Sequence, residues 1–292
     1  MSKEHFSQYD EATTARCERA LVTLLGDLGP WGDRIYLAGG LAPRYIVGEL
    51  PDGVSPHVGT TDVDLVIGLA LGDETPETYR TLESNLRKSG FTAGNSSFRW
   101  HLDVEGVSVI LEFLCETDAV EPGRIFKPKG EAVGSNLGAF NVRGARLVQR
   151  DHIELRLEGQ RLDGGGISRV TVRVAGILPY VVLKILAFQD RHENKDAYDL
   201  IFCLLRHDGG PAEAGRVAGH SPVAHESQVV EATTLLAERF RDTAQDGPTA
   251  YGIFLSAPGD EDEAARLRQE AVATVRQFLA AYTLPEKPRD SE

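Results

Sequence analysis

Arg34-Ile35-Tyr36-Leu37-Ala38-Gly39-Gly40-Leu41-Ala42-Pro43 and Thr60-Thr61-Asp62-Val63-Asp64-Leu65-Val66-Ile67-Gly68, with 21 residues between Gly40 and Asp62, are the stretches that decide how this chain reads. The first is a short β-rich apolar run broken by a diglycine. Pro43 follows it and suits the first turn of a helix over about Leu41 to Val47. The second is a strand that begins with carboxylates and ends in aliphatics, separated from the first by a Pro/Gly-rich insertion at 48–59. Residues two apart on a strand share a face, so Asp62 and Asp64 are expected side by side in a segment type in which Asp is normally depleted. At about 6 Å and an effective dielectric near 20, two such charges repel by roughly 3 kcal/mol, which a shared divalent cation would reverse. Oxygen donors without His or Cys nearby favour Mg²⁺ or Mn²⁺ over zinc. A solvated turn capped by Asp62 is the structural alternative.

Cys17, Ala20, Leu21, Leu24 and Leu28 recur at helical steps ahead of the first strand, and residues 76–89 read as a helix. Residues 98–115 alternate and read as a second core strand, with Val107, Val109, Leu111 and Phe113 on one face and Ser108, Ile110, Glu112 and Leu114 on the other. Glu112 is the candidate third carboxylate, a metal ligand or an acceptor for the proton of an attacking hydroxyl, with Asp103 as the fallback. From 121 to 175 the chain carries short β-type runs, at Arg146-Leu147-Val148, His152 to Leu157 and Val170 to Val174. After Pro179 the period turns helical, over 180–191, 196–206, 228–242 and 262–282, with 207–225 expected as a loop and 285–292 as a frayed tail. The fold class expected is mixed α/β (α+β): a sheet with flanking helices over 1–175, followed by a mainly helical domain over 176–292.

Composition narrows the function. With 44 acidic against 31 basic residues the net charge is −13, which excludes a generally basic nucleic-acid coat. The distribution is uneven, because ten basic residues against six acids make 121–173 locally +4, a candidate RNA-facing segment. Cys17, Cys115 and Cys203 have no metal or disulfide spacing, and no apolar run approaches a membrane span, so a cytoplasmic protein without a membrane partner is expected.

Other D-x-D chemistries fit less well. An EF-hand loop fails at Val66 and Ile67, and in a haloacid-dehalogenase-type phosphatase the apolar strand precedes the motif rather than following it. A metal-dependent glycosyltransferase remains open from spacing alone. The diglycine turn offers backbone amides to an anion, yet Leu41-Ala42-Pro43 matches neither a Walker A loop nor a dinucleotide fingerprint. Lys184, one of 7 lysines, sits inside an apolar helical run with Arg191 two turns on, a spacing that suits triphosphate oxygens or a snorkelling side chain. Asp196 and Asp199 cap the next helix, pair with Lys184, or orient it.

Together, Gly39-Gly40, Thr60 to Leu65, Glu112 and the run from Lys184 through Arg191 to Lys195-Asp196-Ala197-Tyr198-Asp199-Leu200 resemble the AbiEii/AbiGii-type nucleotidyltransferases of the polymerase-β-like superfamily, over roughly residues 20–205. The resemblance implies Mg²⁺-dependent transfer of a nucleoside monophosphate from an NTP to an acceptor hydroxyl, with tRNA as acceptor. It also implies a toxin held in check by a protein antitoxin. By the same resemblance Asp62, Asp64 and Glu112 bind metal, and Gly39, Gly40, Thr60, Thr61, Lys184 and Arg191 bind the nucleotide. Lys184 and Asp196 join the catalytic set, with Asp196 supporting Lys184. Val58 stands four before Asp62, where relatives often carry a basic residue, and together with the 48–59 insertion it motivates a weakened, nucleotide-binding regulatory module. A small-molecule acceptor is the remaining alternative.

Overall fold

Asp10 opens the first helix by accepting a hydrogen bond from the Thr13 amide at 2.7 Å, and α1 (Glu11–Asp27) follows, burying Cys17, Ala20, Leu21 and Leu24 along one stripe. The computed structural model describes residues 5–57, 62–67, 76–104, 106–127, 137–162 and 164–283. These divide into two units, one α/β, spanning 7–45 and 56–176, and one helical, made of Ile177 onward together with 46–55 and the residues up to Phe6.

In the α/β unit, β1 (Ile35–Ala38) leads through a 3-10 turn at Gly39–Leu41 into the short α2 (Pro43–Ile46). Next come β2 (Asp62–Ile67), α3 (Pro76–Lys88), β3 (Thr92–Ala93), β4 (Arg99–Val104), β5 (Val107–Cys115), β6 (Ile125–Phe126) and β7 (Ala139–Asn141). The unit closes with α4 (Ala145–Arg150), β8 (His152–Gln160) and β9 (Ile167–Ala175). The mixed sheet runs β3-β4-β5-β2-β1-β9-β8, with β7 joining β5 and β6 off that path. β2 is central: β1 pairs with it antiparallel and β5 parallel. Its Val63 is buried and in register with the buried Leu111 of β5, which fixes the apolar face of the sheet at this point. α1 packs against β8 and β9, where Gly159 leaves room for the Val22 side chain.

The stretch 98–115 is two strands rather than one. Gly106, at φ 79°, turns the chain back on itself, and its amide donates to Asp103 Oδ1 at 2.9 Å. The buried positions switch from even numbers in β4 (Trp100, Val104) to odd numbers in β5 (Val109, Leu111, Phe113), and this slip in the alternation marks the turn. Arg146-Leu147-Val148, expected as a strand, lies in α4, whose Leu147 and Val148 are buried. Three residues are too few to separate the two periods.

The helical unit holds α5 (Ile177–Arg191), α6 (Asn194–Arg206), α7 (Gly210–Gly219), α8 (Ser227–Arg239), α9 (Asp246–Leu255) and α10 (Glu261–Ala281). α5 is buried along nearly its whole length, which explains its continuous apolar run. α10 starts at Asp260, whose side chain accepts from the Glu263 amide at 3.0 Å, with Glu261, Asp262 and Glu263 set favourably against the helix dipole. The segment expected as a loop over 207–225 contains α7. Its small residues allow close packing instead of turns: a Cβ on Gly215 would lie 2.3 Å from the Phe278 carbonyl oxygen, and one on Gly219 would lie 2.5 Å from that of Thr283. α9 was likewise not marked by a stripe, because Gly247, Pro248 and Gly252 dilute its pattern. The tail at 285–292 lies outside the described residues.

Candidate active site

The register of three strands assembles the candidate site. Ala38 of β1 is paired with Asp64 of β2, and Asp64 is paired with Glu112 of β5. Two acidic positions from separate parts of the sequence are thereby neighbours across one strand spacing, about 5 Å. Because β1 runs antiparallel to β2, its exit at Gly39-Gly40 lies toward the start of β2, the end that carries Asp62. Gly39 takes φ 71°, a conformation that side-chain-bearing residues seldom adopt, and the Ala42 amide returns to its carbonyl oxygen at 3.3 Å. The diglycine therefore makes the sharp exit from β1 beside the acidic pair. Thr60, Thr61 and Val58 lie outside the described residues.

Glu112 is 15% exposed and occupies the half-buried face of β5. Directly across from it on β4 stands Arg99, whose Nε donates to Glu112 Oε1 at 2.5 Å. The guanidinium also lies over the Phe98 ring, 4.9 Å from its centroid, and Phe98 stacks on Phe140. Glu112 thus sits between an acidic and a basic register neighbour. Arg99 was not a sequence candidate, because its relation to Glu112 exists only once the turn at Gly106 folds β4 onto β5. Asp103, the fallback acid, is in register with Ser108 and caps the hairpin turn, away from Asp64.

Arg44 on α2 also belongs to the surroundings of the diglycine turn. It donates to the His57 carbonyl oxygen at 2.8 Å and to Glu18 at 3.1 Å, and it also pairs with Glu11. Burial would lower the pKa of this guanidinium, but the two glutamates hold it above the ordinary arginine value. Arg44 ties α1, the helix after the diglycine, and the chain leading toward β2 into one fixture. Its only sequence signal is a basic residue shortly after Gly-Gly-x-x-Pro.

No protein-family model matches this chain, and no curated protein does.

The remaining sequence candidates lie in the helical unit. Lys184 Nζ donates to Asp199 Oδ2 at 2.6 Å and to Asp196 Oδ1 at 3.3 Å. Arg191 holds Asp196 through two contacts of 2.7 Å, and Lys195 holds Asp199 at 2.7 Å. Both aspartates are at most 1% exposed and the Lys184 side chain is 7% exposed. Burial pushes the Lys184 ammonium down, and Asp199 and Asp196 together outweigh it and raise the pKa. For Asp196 burial pushes upward, and Lys184 and Arg191 hold the carboxyl below the usual range. This arrangement joins α5 to α6, and a triphosphate contact by Lys184 would require its ammonium to leave two buried carboxylates. Arg191, half-exposed, is the most solvent-accessible cation of this group.

Of the basic residues in 121–173, Arg161 pairs with Asp27, Arg169 with Glu158, and Arg173 with both Glu154 and Asp33. Glu154↔Arg173 and Glu158↔Arg169 are cross-strand partners on one face of the β8–β9 hairpin. These guanidiniums are neutralised in place, which reduces the positive field the local charge excess suggested. No disulfide links the three buried cysteines, and burial pushes the Cys115 thiol up to about 12. Among the described residues no helix is long and apolar enough to cross a membrane.

Proposed function

We propose that the α/β unit is a Mg²⁺-dependent nucleotidyltransferase that moves a nucleoside monophosphate from an NTP to an acceptor hydroxyl. The observation that carries this reading is the register that sets Asp64 beside Glu112 and beside the strand leaving into Gly39-Gly40. The donor set is all oxygen, as a hard divalent cation requires. Asp62, Asp64 and Glu112 would hold it. Once bound, such an ion supplies charge neutralisation at the α-phosphate and lowers the pKa of the acceptor hydroxyl. The rest is positioning by the chain itself. The diglycine turn offers amides to phosphate oxygens at a place where a side chain would strain the backbone. Arg44 keeps that turn and the approach to β2 in fixed relation, which is how orientation contributes to rate.

The AbiEii/AbiGii resemblance supports tRNA as acceptor and a protein antitoxin as partner. The ion-paired arginines of the β8–β9 hairpin favour a second reading, the same transfer to a small hydroxylated molecule. Incubating the protein with each α-labelled NTP, Mg²⁺ and total tRNA separates them. Labelled RNA is the expected result, and no label in RNA with any of the four nucleotides overturns the tRNA version.

A further inference from the structure

We propose that Arg99 is a positioning residue that competes with a divalent cation for Glu112 and yields the carboxylate when the cation binds. The inference rests on the nucleotidyltransferase reading and adds a residue to it. Its basis is the arrangement around a single carboxylate. Glu112 has the acidic position Asp64 in register on one side and Arg99 on the other. The guanidinium is close enough, at 2.5 Å, to take a lone pair that a metal ion would otherwise use. Acidic positions set on adjacent strands call for a counter-charge, and Arg99 supplies one from the chain itself.

Two features make the pairing reversible. The Arg99 side chain is 48% exposed, so releasing Glu112 returns it to water at little cost. The Phe98 ring beneath the guanidinium gives it a resting place that does not involve the carboxylate, and the stack on Phe140 holds that ring still. Cation binding and the ion pair therefore compete for Glu112, and apparent metal affinity is lowered by the strength of the pair.

The test is Mn²⁺ affinity in the absence of nucleotide, measured from the free-ion electron paramagnetic resonance signal during titration of the full chain. Arg99→Gln is expected to bind Mn²⁺ roughly fivefold more tightly than wild type, the size of one good exposed ion pair. Arg99→Gln combined with Glu112→Gln is expected to bind no more tightly than Glu112→Gln alone, because the effect passes through that carboxylate. An unchanged or weaker affinity in a folded Arg99→Gln protein overturns the proposal while leaving the functional reading intact. So does a gain that persists in the Glu112→Gln background, which would mark a general charge effect. A wild-type protein that binds no Mn²⁺ overturns the functional reading and this inference with it.

Discussion

Replacing Lys184 with Met removes one ammonium from between α5 and α6 while keeping most of the side-chain volume. In the folded protein that ammonium makes contacts of 2.6 and 3.3 Å with Asp199 and Asp196. Deleting one partner of a buried ion pair commonly costs 3–5 kcal/mol, because a charge is left without compensation. Here Asp199 keeps Lys195 and Asp196 keeps Arg191, each at 2.7 Å, so neither carboxylate is stranded. The expected loss is therefore at the low end, about 3 kcal/mol, read as a lower urea midpoint by far-ultraviolet circular dichroism. The acid side of the stability profile gives a second signature. Asp196 is held below the ordinary carboxylate range, so its contribution is complete above about pH 4 and is lost as pH falls further, when the unfolded chain takes up a proton the folded chain resists. The Lys184 contribution has the opposite sign: with a raised pKa, it is complete below about pH 10 and fades only as pH climbs past that value. Without Lys184 the pull on Asp196 weakens, so Lys184→Met is expected to lose less stability on acidification than wild type. A variant within about 0.5 kcal/mol of wild type that no longer binds NTP would assign the ammonium to a ligand instead of the fold.

Two further outcomes follow from particular contacts. Gly→Ala within a helix ordinarily stabilises by up to about 1 kcal/mol, but Gly215→Ala is expected to destabilise by about 1–3 kcal/mol in urea unfolding, since its Cβ meets the Phe278 carbonyl oxygen at 2.3 Å. Arg44→Met is expected to slow nucleotidyl transfer roughly ten- to a hundredfold, through misplacement of the turn and of the lead-in to β2, with a stability loss of about 2 kcal/mol. Steady-state transfer assays beside unfolding curves check both parts.

Much of the α/β unit is legible in the sequence where one period dominates. The run Ile35 to Ala38, the diglycine and the strand at 62–67 stand out because apolar runs and glycine breaks are local signals. The helix at 210–219 does not. Glycine and alanine there serve close helix packing against α10, and composition alone cannot distinguish that from a loop. The Glu112 carboxylate was visible as a residue type on a strand, but its register with Asp64 and its pairing with Arg99 depend on which strands meet. That is a property of the sheet, which no window of sequence contains. Lys184 and Asp196 were legible as an unusual charge pattern on two helices. What the pattern could not convey is burial, which turns the same residues into an internal ion-pair cluster.

The proposed role of Asp64 on β2 and Glu112 on β5, neighbours in register, is turnover of an NTP. It is tested most directly by pyrophosphate release from wild type, Asp64→Asn and Glu112→Gln in the presence of Mg²⁺ and acceptor, with folding verified by circular dichroism. Release by the wild type is expected, with a drop of at least about a hundredfold in both folded variants, the scale on which removing a charge-stabilising group acts. A folded Asp64→Asn protein that releases pyrophosphate at the wild-type rate would contradict it.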